Sequence, residues 1–117
     1  MAKYEHLPLY KKAMETAIYL HNIVRNFNRY DKYSIGSDLR ELSRKNIRLI
    51  IQANSSYDKT QILQELVVNC EELKSMVIFA KEIKAFQNFN SFKQSATFVE
   101  NLCRQSQGWL KSSNSKK

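Results

Sequence analysis

The sequence predicts an all-α fold, a single domain over residues 1–117 in which four antiparallel helices form an up-down-up-down bundle. Glycine and proline are scarce, at two and one residues, whereas a β-sandwich or an α/β fold needs many more turn residues. Apolar residues recur at three- and four-residue steps through most of the chain, which is the period of a helix face. The interruptions are short, and short connections make consecutive helices antiparallel neighbours.

Two helices are predicted in the first half of the chain, over about residues 7–27 and 35–53. In the first, Pro8 falls in the first turn, where a missing backbone N–H costs nothing. In the second, Ser34 is placed to cap the first turn. The apolar faces are Tyr10, Ala13, Met14, Ala17, Leu20, Val24 and Phe27 in the first helix and Leu39, Leu42, Leu49 and Ile50 in the second.

Two more helices are predicted in the second half, over about residues 59–86 and 91–111. Ser91, followed three residues later by glutamine, has the spacing of a capping box and marks the start of the fourth helix. The apolar faces are Ile62, Leu66, Cys70, Leu73, Val77, Ala80 and Ile83 in the third helix and Phe92, Ala96, Val99, Leu102 and Trp109 in the fourth.

The last residues of the chain are expected to be less regular. Gly108 interrupts the fourth helix near its end, at a cost of about 1 kcal/mol relative to alanine if it stays helical. The tail, residues 112–117, is polar and is expected to fray.

The predicted helices carry more apolar residues than a four-helix core requires. The core-facing stripe of an amphipathic helix is only a little over 100° wide, and an uncovered surplus forms a large exposed patch. We therefore expect self-association through the outer apolar faces. The alternative is a wide core with a few scattered apolar residues on the surface. The surplus residues are Leu9, Ile18, Tyr19, Ile23, Val67, Val68, Ile78, Phe79 and Phe98.

Nothing in the sequence predicts secretion or a membrane location. The N-terminus lacks the apolar segment of a signal peptide, and no run approaches the roughly 18 apolar residues of a membrane span. Cys70 and Cys103 both fall within apolar helical pattern, which indicates two buried, reduced thiols. We expect a cytoplasmic protein that has no membrane partner.

The charge of the chain favours a polyanionic partner. Nineteen Lys and Arg against eleven Asp and Glu leave a formal charge of +8, which suits nucleic acid, although such a charge can also serve solubility alone. Arg40, Arg44 and Arg48 form one stripe on the second helix, and like charges at this spacing weaken a helix. A phosphate backbone would relieve the stripe, because guanidinium groups bind phosphate oxygens through paired hydrogen bonds. The candidate nucleic-acid-binding residues are Arg25, Arg29, Lys32, Arg40, Arg44, Lys45 and Arg48.

Two readings of these basic residues remain open. If they bind nucleic acid, Tyr30 and Tyr33 in the adjoining loop can stack on unpaired bases. Alternatively, they form an ordinary solvated face. In that case Arg25 and Arg29 simply suit the negative end of the first helix, and Glu41 pairs with Lys45 one helical turn away.

The sequence contains no set of residues that predicts catalysis. It has no glycine-rich phosphate loop, no Cys-x-x-Cys pair and no acidic cluster with metal-ligand spacing. Some all-helical ribonucleases carry an arginine four to six residues before a histidine, but neither His6 nor His21 has an arginine at that distance before it. We therefore expect a protein that is not an enzyme and has no cofactor or metal.

Six blocks, spread over about residues 4–111, carry a family resemblance. They are Leu7-Pro-Leu-Tyr-Lys-Lys-Ala13, Val24-Arg-Asn-Phe27, Tyr30-Asp-Lys-Tyr-Ser-Ile-Gly-Ser-Asp-Leu-Arg40, Leu49-Ile-Ile-Gln-Ala-Asn54, Ala80-Lys-Glu-Ile-Lys-Ala85 and Gly108-Trp-Leu-Lys111. The block ending at Arg40 is the most specific, because its lysine-tyrosine pair, glycine and Asp-Leu-Arg are unusual together. In this order the blocks resemble the Avd family, the accessory proteins of diversity-generating retroelements.

The resemblance implies a four-helix bundle that assembles as a homopentameric barrel with a strongly basic surface. It also implies binding to the reverse transcriptase of the element and to its template RNA and cDNA, in support of mutagenic retrohoming, while the polymerase chemistry belongs to the reverse transcriptase. Arg40 and Lys32 lie in the most specific block, Arg25 and Arg29 precede it, and Arg44, Lys45 and Arg48 follow it on the same helix. The alternative is a related four-helix group encoded by intervening sequences within 23S ribosomal RNA genes, acting only through protein–protein contacts.

Overall fold

This computed structural model describes residues 3–115, which form four long helices, one single-turn helix and one 3₁₀ turn with short connections between them. No strand occurs in these residues, so the predicted all-α class is confirmed. Consecutive long helices pack against each other, and the last packs against the first. Because connections of a few residues join them, the neighbours run antiparallel, an arrangement compatible with a four-helix bundle. The elements are a 3₁₀ turn (Lys3–His6), α1 (Pro8–Val24), α2 (Arg29–Lys32), α3 (Ile35–Ser55), α4 (Thr60–Glu82) and α5 (Phe89–Ser115).

Asn28 caps α2, and Asn88 caps α5 in place of the predicted Ser91. Asn28 Oδ1 accepts a hydrogen bond from the backbone N–H of Asp31 at 2.9 Å, and its Nδ2 donates to Asp31 Oδ2 at 2.8 Å. Asn88 Oδ1 accepts from the backbone N–H of Ser91 at 2.8 Å, so Ser91 already lies inside α5. Ser34 makes no capping bond and donates to the carbonyl of Tyr30 instead. The extra turn α2 therefore replaces the loop expected between the first two long helices.

Close packing holds the corner between α1 and α3. A Cβ atom at Gly36 would lie only 2.6 Å from Cγ1 of Val24, so a side chain there would force the helices apart. Next to it, the buried ring of Phe27 packs edge-on against Phe86, with ring centroids 5.3 Å apart. Phe86 in turn contacts Phe92 at 5.9 Å. These aromatic contacts fix the corner against the connection between α4 and α5.

The third long helix, α4, ends at Glu82 and not near residue 86 as predicted. Lys84 adopts a φ of 62°, the left-handed conformation with which many helices end. The backbone N–H of Ala85 then donates to the carbonyl of Ala80 at 2.9 Å, which satisfies one of the last carbonyls of the helix. Glycine usually occupies such a position, so a lysine there carries no sequence signal of a helix end.

The last helix, α5, runs through Gly108 to Ser115, which corrects the prediction of an interruption and of a frayed tail from residue 112. The helix continues because Trp109 and Leu110, directly after the glycine, pack against the core. Gly108 itself has nothing within 4 Å of where a side chain would begin. Residues 116–117 of the predicted tail lie outside the described residues.

The core contains a polar network among its aliphatic side chains. Asn69 Nδ2 of α4 donates to Asn46 Oδ1 of α3 at 2.7 Å and to the carbonyl of Leu42 at 2.9 Å. The thiol of Cys70 donates to Asn46 Oδ1 at 3.6 Å and lies 3.4 Å from Ser106 Oγ of α5. The network therefore ties α3, α4 and α5 together out of contact with solvent. The largest fully buried apolar side chains are Leu20, Leu39, Ile50, Leu63, Leu66, Leu73 and Leu102.

Two further observations bear on the environment of the chain. Cys70 and Cys103 are both free and buried, as predicted. A hydrogen bond with Cys70 and burial raise the pKa of the Cys103 thiol. None of the helices in the described residues combines the length and the apolar character that crossing a membrane demands.

The apolar surplus predicted from the sequence is only partly exposed. Leu9 is buried and belongs to the core, so its assignment to the outer surface was wrong. Tyr19 and Phe98 pack on each other across α1 and α5, with ring centroids 5.2 Å apart. Four of the surplus side chains are exposed by 46–56 %, and they are the ones still available for an interface: Ile18, Val68, Ile78 and Phe79.

Candidate nucleic-acid interface

The seven predicted basic residues lie on three consecutive elements. Arg25 directly follows α1, Arg29 and Lys32 belong to α2, and the other four lie on α3. Among the described residues, no ion pair involves the three residues of the corner. Those on α3 point in different directions: Arg40 and Arg44 line a groove against α1, Lys45 reaches α4, and Arg48 projects outwards.

Arg40 is the only one of the seven that bonds to the backbone of a neighbouring helix in the described residues. Its Nη2 donates to the carbonyl of His21 at 2.8 Å, in the last turn of α1. A carbonyl at the end of a helix has no partner within the helix, so this bond satisfies α1 and holds the guanidinium in place. The Nε atom of Arg40 is buried and has no hydrogen-bond partner among the described residues.

Glu41 relieves the arginine row that the sequence placed on this helix. Its Oε2 accepts a hydrogen bond from Arg44 Nη2 at 3.2 Å, and its Oε1 accepts one from Arg48 Nη2. These hydrogen bonds lower the pKa of the Glu41 carboxyl. All three side chains are more than half exposed, so the pairs add little to stability and both guanidinium groups stay accessible to an outside ligand.

The pairing of Glu41 with Lys45, weighed above as part of an ordinary solvated face, is not formed. Lys45 Nζ lies 3.9 Å from Glu65 Oε1 of α4, an exposed ion pair that bridges the two helices. Lys45 therefore lies on the opposite flank of α3 from Arg40. The structure does not bring all seven basic residues into one patch.

The residues that do come together surround His21, which sequence reasoning set aside. Arg40, burial, Arg25 and Arg44, in that order of effect, lower the pKa of the His21 imidazole. Three cationic groups are thus close enough to His21 to disfavour its protonated form. The sequence signal that could have found it is the spacing of His21 and Arg25, four residues apart at the end of a helix.

The groove at this point combines charge with apolar surface. It has a volume of about 300 Å³ and lies between α1 and α3. Met14, Ile18 and Ile47 form its apolar part, and His21, Arg40 and Arg44 form its basic end. Such a lining suits a ligand that presents both phosphate and an uncharged ring, as a nucleotide does.

The two tyrosines proposed for base stacking do not face this groove. Tyr30 and Tyr33 are exposed, by 81 % and 71 %, and line a different groove together with Phe79 of α4 and Ile83 just after it. Asp38 of α3 also lines that groove, which therefore lies on the side of α3 that faces α4. The aromatic residues and the Arg40–Arg44 end of the basic row are therefore on separate surfaces.

The comparison with protein families identifies the group to which this chain is related. The model of the bAvd-like family matches residues 8–113, which include all seven basic residues and the α2 corner. The chain belongs to the bAvd-like family. A comparison with curated proteins finds no match.

Membership in the bAvd-like family confirms the resemblance to Avd-type proteins. At the level of the family, the chain is an accessory protein of the type found in diversity-generating retroelements. The Avd-like family is a non-catalytic accessory family. In the described residues, no three side chains of His, Cys, Asp or Glu are grouped as a metal site requires.

Proposed function

We propose that this bAvd-like protein binds the reverse transcriptase, template RNA and cDNA of a diversity-generating retroelement through its basic surface and so supports mutagenic retrohoming. It contributes no catalytic residue of its own and acts in the cytoplasm. The observation that supports this function most directly is the convergence of Arg25, Arg40 and Arg44 around His21, which lines an open groove with Arg40 and Arg44. Arg29 and Lys32 extend the positive surface around the α2 corner.

The mechanism is electrostatic and begins with an exchange of partners. In the free protein Glu41 occupies Arg44 and Arg48. A phosphate group of the nucleic acid presents two oxygens to an arginine in the same geometry as the carboxylate. When the arginines bind it, counterions are released from the nucleic acid, so the phosphate displaces Glu41 from one or both arginines. Binding driven in this way depends weakly on sequence and falls steeply with salt.

Assembly into a homopentamer is part of the proposal. The exposed side chains of Ile18 and Ile78 supply apolar surface for contacts between copies. An assembly would repeat the basic groove around a ring and so strengthen binding to a long RNA through several weak contacts. Light scattering at low and high salt, with and without RNA, measures the assembly and its RNA load together. A monomer that is indifferent to RNA would contradict both.

The site is tested by substitutions that change RNA affinity in opposite directions. Arg40→Ala, Arg44→Ala and Arg48→Ala combined should weaken binding at all sequences and reduce the salt slope by up to about three, since each phosphate contact contributes about one. Glu41→Gln should strengthen binding up to about fivefold, because the arginines lose a weak internal competitor. Affinity is measured by fluorescence anisotropy with a structured RNA across a salt series.

Glu100→Gln is the matched control for Glu41→Gln. Glu100 forms an exposed ion pair with Arg104 on α5, a helix that packs on α1 and α4 and lies away from the arginine row. The Glu100→Gln substitution changes the net charge by the same amount as Glu41→Gln but does not release Arg44 or Arg48 from an ion pair. If both glutamine variants change affinity equally, only net charge matters. If the folded triple variant binds RNA as the parent does, the site assignment is wrong.

The competing function is a four-helix scaffold of the 23S intervening-sequence type that acts only through protein contacts. The pairing of Glu41 with two of the arginines favours it, because a neutralised row needs no nucleic acid. The RNA measurements above decide between the two. A reverse-transcriptase gene and a template and variable repeat beside this gene would support the retroelement function independently.

A further inference from the structure

The outer surface between α3 and α4 forms a second groove that differs from the basic one in its chemistry. Its volume is about 610 Å³, and its apolar part consists of Leu42, Val67, Val68 and Met76. Val68 is 56 % exposed, a high value for an aliphatic side chain in the middle of a long helix. Such a surface is typical of a binding groove and not of a solvated helix face.

Acidic side chains surround this apolar surface. Four of the eleven acidic residues of the chain line the groove, against a net charge of +8, so the groove runs counter to the rest of the surface. Glu41 at its edge is bound by arginines. Asp38, Glu71 and Glu72 take part in no ion pair among the described residues, and Glu71 accepts only a long hydrogen bond of 3.4 Å from Gln107.

The apolar surface continues along α4 towards the α2 corner. The adjoining groove shares Asp38 and Met76 with the first and adds Phe79, Ile83 and the two exposed tyrosines. From Val67 to Ile83 the surface follows the helix axis for about 24 Å at 1.5 Å per residue, which is the length of about 16 helical residues. A convex, elongated element such as an amphipathic helix fits a groove of these proportions.

We propose that the α3–α4 groove binds a lysine- or arginine-bearing amphipathic helix of a protein partner. The apolar side of that helix packs on Val68 and Met76, and its cations meet the carboxylates of Asp38, Glu71 and Glu72. The same carboxylates repel phosphate, so the groove excludes the nucleic acid proposed for the α1–α3 flank. This assignment does not depend on RNA binding, and a protein that failed to bind RNA would leave it intact.

The probe is a fluorescent peptide of about 16 residues, the length given above, with leucine on one helix face and lysine on the other. A peptide with glutamate in place of lysine tests the charge. Binding is measured by anisotropy, with light scattering of the same samples. We expect the lysine peptide to bind at least about tenfold more tightly than the glutamate peptide, as charge complementarity requires.

Two pairs of variants locate the binding surface. Val68→Ser and the double variant Glu71→Gln, Glu72→Gln should each weaken the lysine peptide by about threefold to tenfold. The controls are Tyr57→Ser, an exposed aromatic residue outside both grooves, and the double variant Glu82→Gln, Glu100→Gln, which removes two carboxylates elsewhere. Neither control should change the affinity.

Each other result would overturn the proposal. Equal losses in the control variants, or equal binding of both peptides, would mean that adhesion is nonspecific. A fall in assembly mass caused by Val68→Ser would assign the groove to a second copy of the chain. Tighter RNA binding by the Glu71→Gln, Glu72→Gln variant than by the Glu82→Gln, Glu100→Gln control would place nucleic acid on this surface.

Discussion

The two flanks of α3 are tied to their neighbours by the same kind of contact in opposite environments. Towards α1, Arg40 donates to the backbone carbonyl of His21 at the protein surface. Towards α4, Asn69 donates to the backbone carbonyl of Leu42 and to Asn46, out of reach of solvent. A buried donor that loses its partner suffers the full desolvation cost, whereas an exposed one is hydrated by water. The buried hydrogen bonds of Asn69 therefore stabilise the bundle, and the exposed hydrogen bond of Arg40 positions its guanidinium group.

The largest expected effect is on the free energy of unfolding, and it distinguishes the buried hydrogen bonds of Asn69 from the exposed hydrogen bond of Arg40. Asn69→Ala should destabilise the protein by about 2–3 kcal/mol, because it removes two interhelical hydrogen bonds and leaves a cavity. Arg40→Ala should cost about 1 kcal/mol or less, since water replaces its partner. Urea unfolding followed by circular dichroism measures both. Equal losses would show that the Arg40 contact is also part of the framework of the fold.

A pair of glycines extends the comparison to the backbone, with effects of opposite sign. Gly36→Ala should destabilise by about 1–3 kcal/mol, because the new Cβ would overlap Val24 and approach the carbonyl of Asp31 at 3.0 Å. Gly108→Ala is the matched control, with open space around it, and should stabilise α5 by about 0.5–1 kcal/mol. Thermal unfolding measures the change in melting temperature of each variant. Changes in the same direction for both variants would contradict the close packing of the corner.

Periodicity predicted the long helices because burial of an apolar face is a local property of the sequence. The faces through Leu39 and Ile50, and through Leu66 and Leu73, are buried as their spacing indicated. The helix ends were predicted less well. Lys84 ends α4 in a conformation that glycine usually adopts, a choice that the contacts around the turn decide and the residue type does not.

For the candidate site, the sequence identified which residues are basic but not which of them are neighbours. Arg40 and Lys45 are five residues apart and lie on opposite flanks, because the packing of α3 between α1 and α4 fixes how the helix is rotated. The sharing of Glu41 by two arginines depends on side-chain conformations, for which the sequence offers several pairings. The acidic groove was not predicted from the sequence, because its residues come from two helices and the chain as a whole has a net positive charge.

The smallest expected effect is a pH dependence of RNA binding on the α1 flank of α3. Arg40, burial, Arg25 and Arg44 hold the pKa of His21 below its ordinary value, so the imidazole is neutral at neutral pH. A bound phosphate neutralises these arginines and raises the pKa of His21 again. Binding then takes up a proton, and RNA affinity should increase as the pH falls through 6.5, by about twofold to tenfold.

The lowered pKa of His21 makes folding stability fall with decreasing pH, whereas RNA affinity is expected to rise. The two effects can therefore be distinguished. Because the pKa of His21 is lower in the folded protein than in the unfolded chain, its contribution to stability is present above the ordinary pKa and is lost as the pH falls. Tighter RNA binding at pH 5.5 therefore cannot arise from a more stable fold. His21→Gln should abolish the pH dependence, while His6→Gln, the substitution of the other histidine in the chain, should retain it. An anisotropy series at constant ionic strength that rises equally in both variants would show that phosphates do not reach the groove between α1 and α3.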